Sequence, residues 1–321
     1  MRMILLGGVA ALALAACGGA SENEPAATPS EDVAVEAADD GDAEAPAAEP
    51  SGPTTAMAAH AGDMDAVLAD PARAEDAVRD AYRHPKETLA FFGIEPGMTV
   101  IDTLPGGGWY TKILMSYLGA DGTVIGADYS REMWPLFGGF ANEEFLERKK
   151  TWPATWSDQA ASWVNGGADV AAFQFDELPE EMAGTADAIL FIRSLHHLNR
   201  FEEEGDFLTK ALAETMAVLK PGGIVGVVQH RGPEGNDDVW AEGDQGYLKQ
   251  SQVIAAFEGA GFELVDSSEV NANPADVPTN DDMVWRLPPT LGTSADNAEL
   301  RASMEAIGES DRMTLKFRKP E

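Results

Sequence analysis

The sequence predicts one doubly wound α/β domain, a mostly parallel sheet covered by helices, preceded by an N-terminal stretch that carries no fold. Three observations predict it. Short apolar runs rich in Val, Ile and Phe alternate with helical stretches along residues 61–321, the order that builds a parallel sheet. A glycine loop, Pro105-Gly106-Gly107-Gly108, stands between the first such run and a helix. Residues 17–60 consist mainly of Ala, Pro, Glu, Asp and Ser, without Lys, Arg or an aromatic residue. Such a segment cannot bury enough apolar surface to offset chain entropy. The chain as a whole has 321 residues and 44% apolar content, ample for a real core in the part that remains.

The chain starts with Met1-Arg2-Met3 and an apolar run over residues 4–16. That run is shorter than the roughly 20 residues a membrane-spanning helix needs and reads as a secretory signal over residues 1–16. Leu14-Ala15-Ala16-Cys17 resembles the bacterial lipobox. Cys17 is the single cysteine of the chain, so it can close no internal disulfide, and acylation gives it a role. Gly18 stands where an Asp often marks inner-membrane retention. The expectation is an envelope lipoprotein held to the bilayer through Cys17, at the outer membrane facing the periplasm. Residues 17–60 then form a disordered acidic tether with an r.m.s. span of roughly 35–40 Å. The net charge of −33 repels phosphate backbones and excludes nucleic acid as a partner.

The domain, residues 61–321, opens with helical sequence over residues 74–82. His84-Pro85 breaks it, and Pro85 suits the first turn of a second helix over residues 86–92. Gly93 and Pro96-Gly97 lead into a first strand, Thr99–Thr103, then the glycine loop and a helix over residues 110–118. A second strand covers residues 123–127 and ends at Asp128. Residues 131–165 are helix-rich and carry Trp134, Trp152, Trp156 and Trp163, which either roof a ligand or pack a helix on the sheet. Further strands are expected at residues 170–175, 186–192, 224–229, 262–266 and 313–317, with helices at 207–219 and 248–258. A polar insertion fills residues 271–310. The strands make seven, the last two forming an antiparallel hairpin at the sheet edge, with the binding crevice at the strand carboxyl ends.

The chemistry concentrates at those ends. Glycines after a strand let backbone approach a ligand where a side chain would clash. Asp128, about 20 residues past the loop, is spaced to take the vicinal hydroxyls of a ribose. Three histidines, His196, His197 and His230, follow the fourth and fifth strands. A histidine there can act as general base. Together the three raise a metal site, although none has the helical spacing of a zinc motif.

Several segments name a resemblance: Gly97-Met98-Thr99-Val100-Ile101-Asp102, Gly106-Gly107-Gly108-Trp109-Tyr110-Thr111, Arg193-Ser194-Leu195-His196-His197 and Leu219-Lys220-Pro221-Gly222-Gly223. They resemble class I S-adenosylmethionine-dependent methyltransferases, with their Rossmann-like sheet. More closely, Asn273-Pro274-Ala275-Asp276 and Ser310-Asp311-Arg312-Met313-Thr314-Leu315-Lys316-Phe317 resemble a group of bacterial methyltransferases that often carry export signals. The resemblance implies S-adenosylmethionine as cofactor. Asp102 would organise the loop near the ligand's amino-acid end, and the Gly106–Gly108 backbone would lie along its centre. Asp128 would hold the ribose, Asp176 would meet the adenine amino group unless it is a turn residue, and His196 or His197 would serve as base. One departure stands out. Leu104 replaces the first glycine of the usual acid-x-Gly-x-Gly-x-Gly loop, which puts the loop's path there in question. Two further functions fit the same residues: a non-catalytic ligand-binding protein of this fold, and a metal-dependent enzyme using the histidines.

Overall fold

The computed structural model describes residues 55–321. The expected signal segment, Cys17 and most of the tether lie outside the described residues. The fold begins earlier than the boundary expected at Ala61. Strand β1 (Met57–Ala58) pairs in parallel with β4 (Val164–Asn165) and buries Met57.

The main sheet is built from β2 (Thr99–Thr103), β3 (Thr123–Asp128), β5 (Asp169–Gln174), β6 (Ala186–Ile192), β7 (Leu219–Gly232), β9 (Glu263–Ser268) and β10 (Arg312–Arg318). Their order is β5-β3-β2-β6-β7-β10-β9, with the short β8 (Leu248–Lys249) beside the end of β7. The first five run parallel, whereas β10 is antiparallel to both β7 and β9. This is the Rossmann-like fold of class I methyltransferases, with the expected seven strands along its path. The topological reversal falls at β2, whose neighbours β3 and β6 lead to opposite sheet edges.

Alternation along each strand sends successive side chains to opposite faces. Val100, Val124 and Ala188 meet the Pro85–Phe92 and Trp109–Leu118 helices through Phe92, Ile113 and Leu114. Ile101, Ile125 and Ile189 face the Phe207–Val218 and Gln250–Gly259 helices through Leu212, Val253 and Phe257. The helix expected over residues 74–82 is instead a 3₁₀ turn, Asp76–Arg79, followed by the short α-helix Asp80–Arg83. His84 then takes φ +42, a left-handed break before Pro85. The insertion at residues 271–310 is not wholly irregular, because Asn297 caps a helix at Ala298–Ile307. Among the described residues no helix is long and apolar enough to cross a membrane.

Candidate active site

The glycine loop stands at the reversal point, where β2 ends. Leu104 adopts φ +51, the left-handed region a glycine would occupy without strain. Its N–H donates to the Ala127 carbonyl at 2.7 Å. The loop therefore keeps a glycine-like path at this position although the residue is leucine. The Gly108 N–H closes the turn on the Pro105 carbonyl at 2.8 Å, and the Gly108 carbonyl accepts the first helical bond from Lys112. The loop glycines differ in what they serve. A Cβ on Gly108 would stand 2.2 Å from the Trp163 ring, so Gly108 is where the loop and that tryptophan pack. A Cβ on Gly107 would meet nothing within 4 Å. Gly107 is exposed, and Gly106, at φ +50, is half-buried.

Asp102 lies under this loop, fully buried, and its Oδ2 accepts the Thr111 hydroxyl at 2.7 Å. The bond ties strand β2 to the helix that leaves the loop. Burial pushes its carboxyl up to about 7, against the Thr111 bond that lowers it. The ordinary value is 3.8, so the unfolded chain ionises first as pH rises. This group's contribution is full below pH 3.8 and is lost as pH passes through about 7. Asp102→Asn keeps an acceptor for Thr111. It is expected to raise the melting temperature at pH 8 and leave it unchanged at pH 4, by differential scanning calorimetry; a fall at pH 8 contradicts the assignment.

Asp128 ends β3 and is likewise buried, but not alone. The Lys149 ammonium donates to its Oδ2 at 3.0 Å, with Lys149 only 4% exposed. The same ammonium lies 4.0 Å from the Trp134 ring centre, 5.2 Å from Phe145 and 5.7 Å from Trp152. Lys149 is a residue that sequence reasoning missed. Its place in the last turn of the Glu143–Lys149 helix marks it only as an ordinary basic residue. Trp134, Trp152 and Trp156 are all buried in packing contacts. Trp152 and Trp156 pack against β5, and a Cβ on Gly126 would stand 2.8 Å from the Trp156 ring. Trp134 instead roofs the Asp128–Lys149 pair. Asp176 follows β5 at φ +71, exposed, its N–H donating to Glu214 at 3.0 Å. It occupies a left-handed turn position at the edge of the site.

Across the strand ends, the Tyr129 hydroxyl donates to the Ser194 carbonyl at 2.6 Å and stands 3.3 Å from His197 Nδ1. The Thr103 and Ser194 hydroxyls are 2.6 Å apart. Tyr129, missed by sequence reasoning, thus joins β3 to β6 past the intervening β2. His196 and His197 occupy the short Leu195–Arg200 helix, their rings 4.0 Å apart, both fully buried. His196 Nδ1 is 3.2 Å from Gln229 Nε2, so Gln229 and Tyr129 orient the pair. Burial brings His196 down to about 3 and holds His197 well below 6.5. His230, at the end of β7, is lowered in the same way. All three are neutral at pH 7, the form that accepts a proton, but as weak bases. The metal reading is not met: among the described residues no group of three or more His, Cys, Asp or Glu is placed to hold an ion.

Histidines lowered on folding contribute stability above pH 6.5 that is lost on acidification. The expected slope is up to about 1.4 kcal/mol per pH unit for each histidine. Denaturant titrations between pH 7 and 5 should show His196→Gln reducing that slope, and an unchanged slope contradicts the burial account.

The strand order is that of the Rossmann-like fold of class I methyltransferases. Residues 101–227, from β2 into β7, match the family model described as the methyltransferase domain. Similar solved structures include a SAM-dependent methyltransferase from Aquifex aeolicus, 21% identical over 65% of this chain and 93% of that one, TM-score 0.40. A geranyl diphosphate methyltransferase in complex with SAM is 15% identical over 83% and 98%, TM-score 0.44. The 1,6-didemethyltoxoflavin-N1-methyltransferase of Burkholderia thailandensis is 15% identical over 78% and 82%, TM-score 0.41. A comparison with the curated proteins finds no match.

The matched domain supports S-adenosylmethionine as the cofactor, and the residues fit it. Gly107 leaves open space beside the loop, and two acids, Asp102 and Asp128, end adjacent strands. A loop with an acid beneath it suits a ligand with a cationic amino-acid end better than a pyrophosphate.

Proposed function

We propose that the chain transfers a methyl group from S-adenosylmethionine to an acceptor, from a position at the outer membrane. The observation that carries the reading is the glycine loop at the topological reversal point, open at Gly107, with Asp102 beneath it and Asp128 on the next strand. Bound there, the cofactor supplies an electrophilic methyl. The chain's own work is orientation and exclusion of water. The Gly106–Gly108 backbone lies along the ligand, Asp128 accepts from the ribose hydroxyls, and Asp176 stands by the adenine edge. His196 or His197 takes the acceptor's proton when the acceptor is protic, while Tyr129 and Gln229 hold their ring planes.

The lipidated Cys17 and the acidic segment behind it complete the reading, placing the domain on a tether in the periplasm. Multiple acyl chains hold such a protein stably, each buried CH₂ contributing about 0.8 kcal/mol.

Incubation with methyl-labelled S-adenosylmethionine and an envelope extract tests the activity. Labelled product with stoichiometric S-adenosylhomocysteine supports methyl transfer. Cofactor binding with no label transferred would favour a ligand-binding role for the same fold. Mass spectrometry of the membrane-extracted protein should find an acylated Cys17 at the N-terminus, and a chain starting at an unmodified Met1 refutes the anchor.

A further inference from the structure

A second polar cluster lies at the carboxyl ends of β6 and β7, next to the strand that bears the glycine loop. Arg193, His230, Trp285, Thr290, Ser310 and Arg312 wall a cavity of about 20 Å³ there. That volume holds one water-sized group, so it is a subsite for one end of a molecule rather than a pocket for the whole. Its roof comes from residues 284–290 of the insertion. His230, Ser310 and Arg312 all lie outside the segment that matches the methyltransferase domain, so this corner belongs to the chain's own elaboration of the fold.

The wall is rich in donors. His230 is 4% exposed, its Nδ1 lies 2.5 Å from the Ser310 hydroxyl, and its Nε2 is buried without a hydrogen-bond partner. Arg312 is 3% exposed; it pairs with Glu309 and donates to the Tyr82 carbonyl at 3.3 Å, leaving its Nε buried and unpartnered. Glu309 also takes Arg79 at 2.8 Å and Arg83 at 3.9 Å, so one buried carboxylate serves three guanidinium groups. After burial, the charged neighbours that hold His230 neutral at pH 7 are Arg312 and Arg193. Buried donors without acceptors are costly, and this cluster is electropositive inside a chain of net charge −33. An acceptor that carries negative charge satisfies both conditions.

We propose that this cavity is the oxyanion subsite of the methyl acceptor, taking one carboxylate or phosphoryl oxygen against His230, Arg312 and Arg193. The acceptor is accordingly a small acid or phosphoryl compound, whose remaining atoms lie outside the cavity. In this assignment Ser310 donates to Nδ1, and the proton left on Nε2 makes His230 a donor to the anion. These are recognition residues. The inference rests on the methyl-transfer reading above for the identity of the occupant as acceptor, and on the cavity alone for its charge.

The test titrates the full chain with acetate and with inorganic phosphate, with and without saturating S-adenosylhomocysteine, by calorimetry and histidine side-chain NMR. One saturable site is expected for at least one anion, with the His230 resonances moving, and the anion that binds identifies the source class. His230→Gln and Ser310→Ala should each weaken it about tenfold or more while S-adenosylhomocysteine affinity is unchanged. The second variant leaves the buried ring in place should the first fail to fold. Absence of saturable binding for both anions overturns the subsite, as does binding indifferent to both substitutions. Anion binding in a protein that does not bind S-adenosylhomocysteine would uphold the subsite and remove the methyl-transfer reading.

Discussion

Asp128→Asn is expected to destabilise the protein by about 3–5 kcal/mol, because it leaves a buried ammonium without the carboxylate that offsets its desolvation. Lys149 is 4% exposed and bonds Asp128 at 3.0 Å, so the attraction acts where solvent screens it little. Lys149→Met should cost a comparable amount from the other side, stranding the carboxylate. The double variant should recover most of the loss, since a methionine packs well among Trp134, Phe145 and Trp152. Binding is expected to behave otherwise. A ribose held by the Asp128 carboxylate loses its acceptor in the double variant, so cofactor affinity should stay low although the fold has returned. Urea denaturation measures the first quantity and calorimetry the second. Recovery of both together would show that the pair has a purely structural part.

The loop glycines separate stability from binding in the opposite sense. Gly108→Ala places a methyl 2.2 Å from the Trp163 ring at φ +81, two penalties at one position. A loss of about 2–4 kcal/mol is expected, combining left-handed strain with overpacking. Gly107→Ala meets nothing within 4 Å, so its melting temperature should stay within a few degrees of the wild type. If the space beside Gly107 is where the cofactor lies, the same substitution should weaken S-adenosylhomocysteine at least tenfold. Unchanged affinity in Gly107→Ala would move the cofactor away from this loop.

Much of this was legible from residue order. Strands β2 and β6 fall on the residues expected from apolar runs, because β-branched and aromatic residues there are bounded by turn signals such as Pro96-Gly97 and Gly184. The glycine loop and Asp128 are legible from spacing, since backbone approach and strand-end position are local properties, whereas Asp102 comes from the family resemblance. The partners are not legible. Lys149 reaches Asp128 from a helix 21 residues away, and Tyr129 crosses to Ser194 over a separation of 65; no periodicity encodes such pairs. The burial of His196, His197 and His230 likewise depends on Trp285 and its neighbours in the insertion, which its composition marks only as polar. Leu104 is the instructive departure. Its side chain breaks the glycine pattern, yet its backbone keeps the left-handed turn, because the flanking strand and the bond to Ala127 fix it.

The central claim is that the end of β2 holds S-adenosylmethionine. Calorimetric titration of the full chain with S-adenosylhomocysteine, beside the Asp128→Asn/Lys149→Met double variant, tests it most directly. A single saturable site in the wild type, lost or severely weakened in the variant, is the expected result. No heat of binding in the wild type at millimolar ligand would contradict the account.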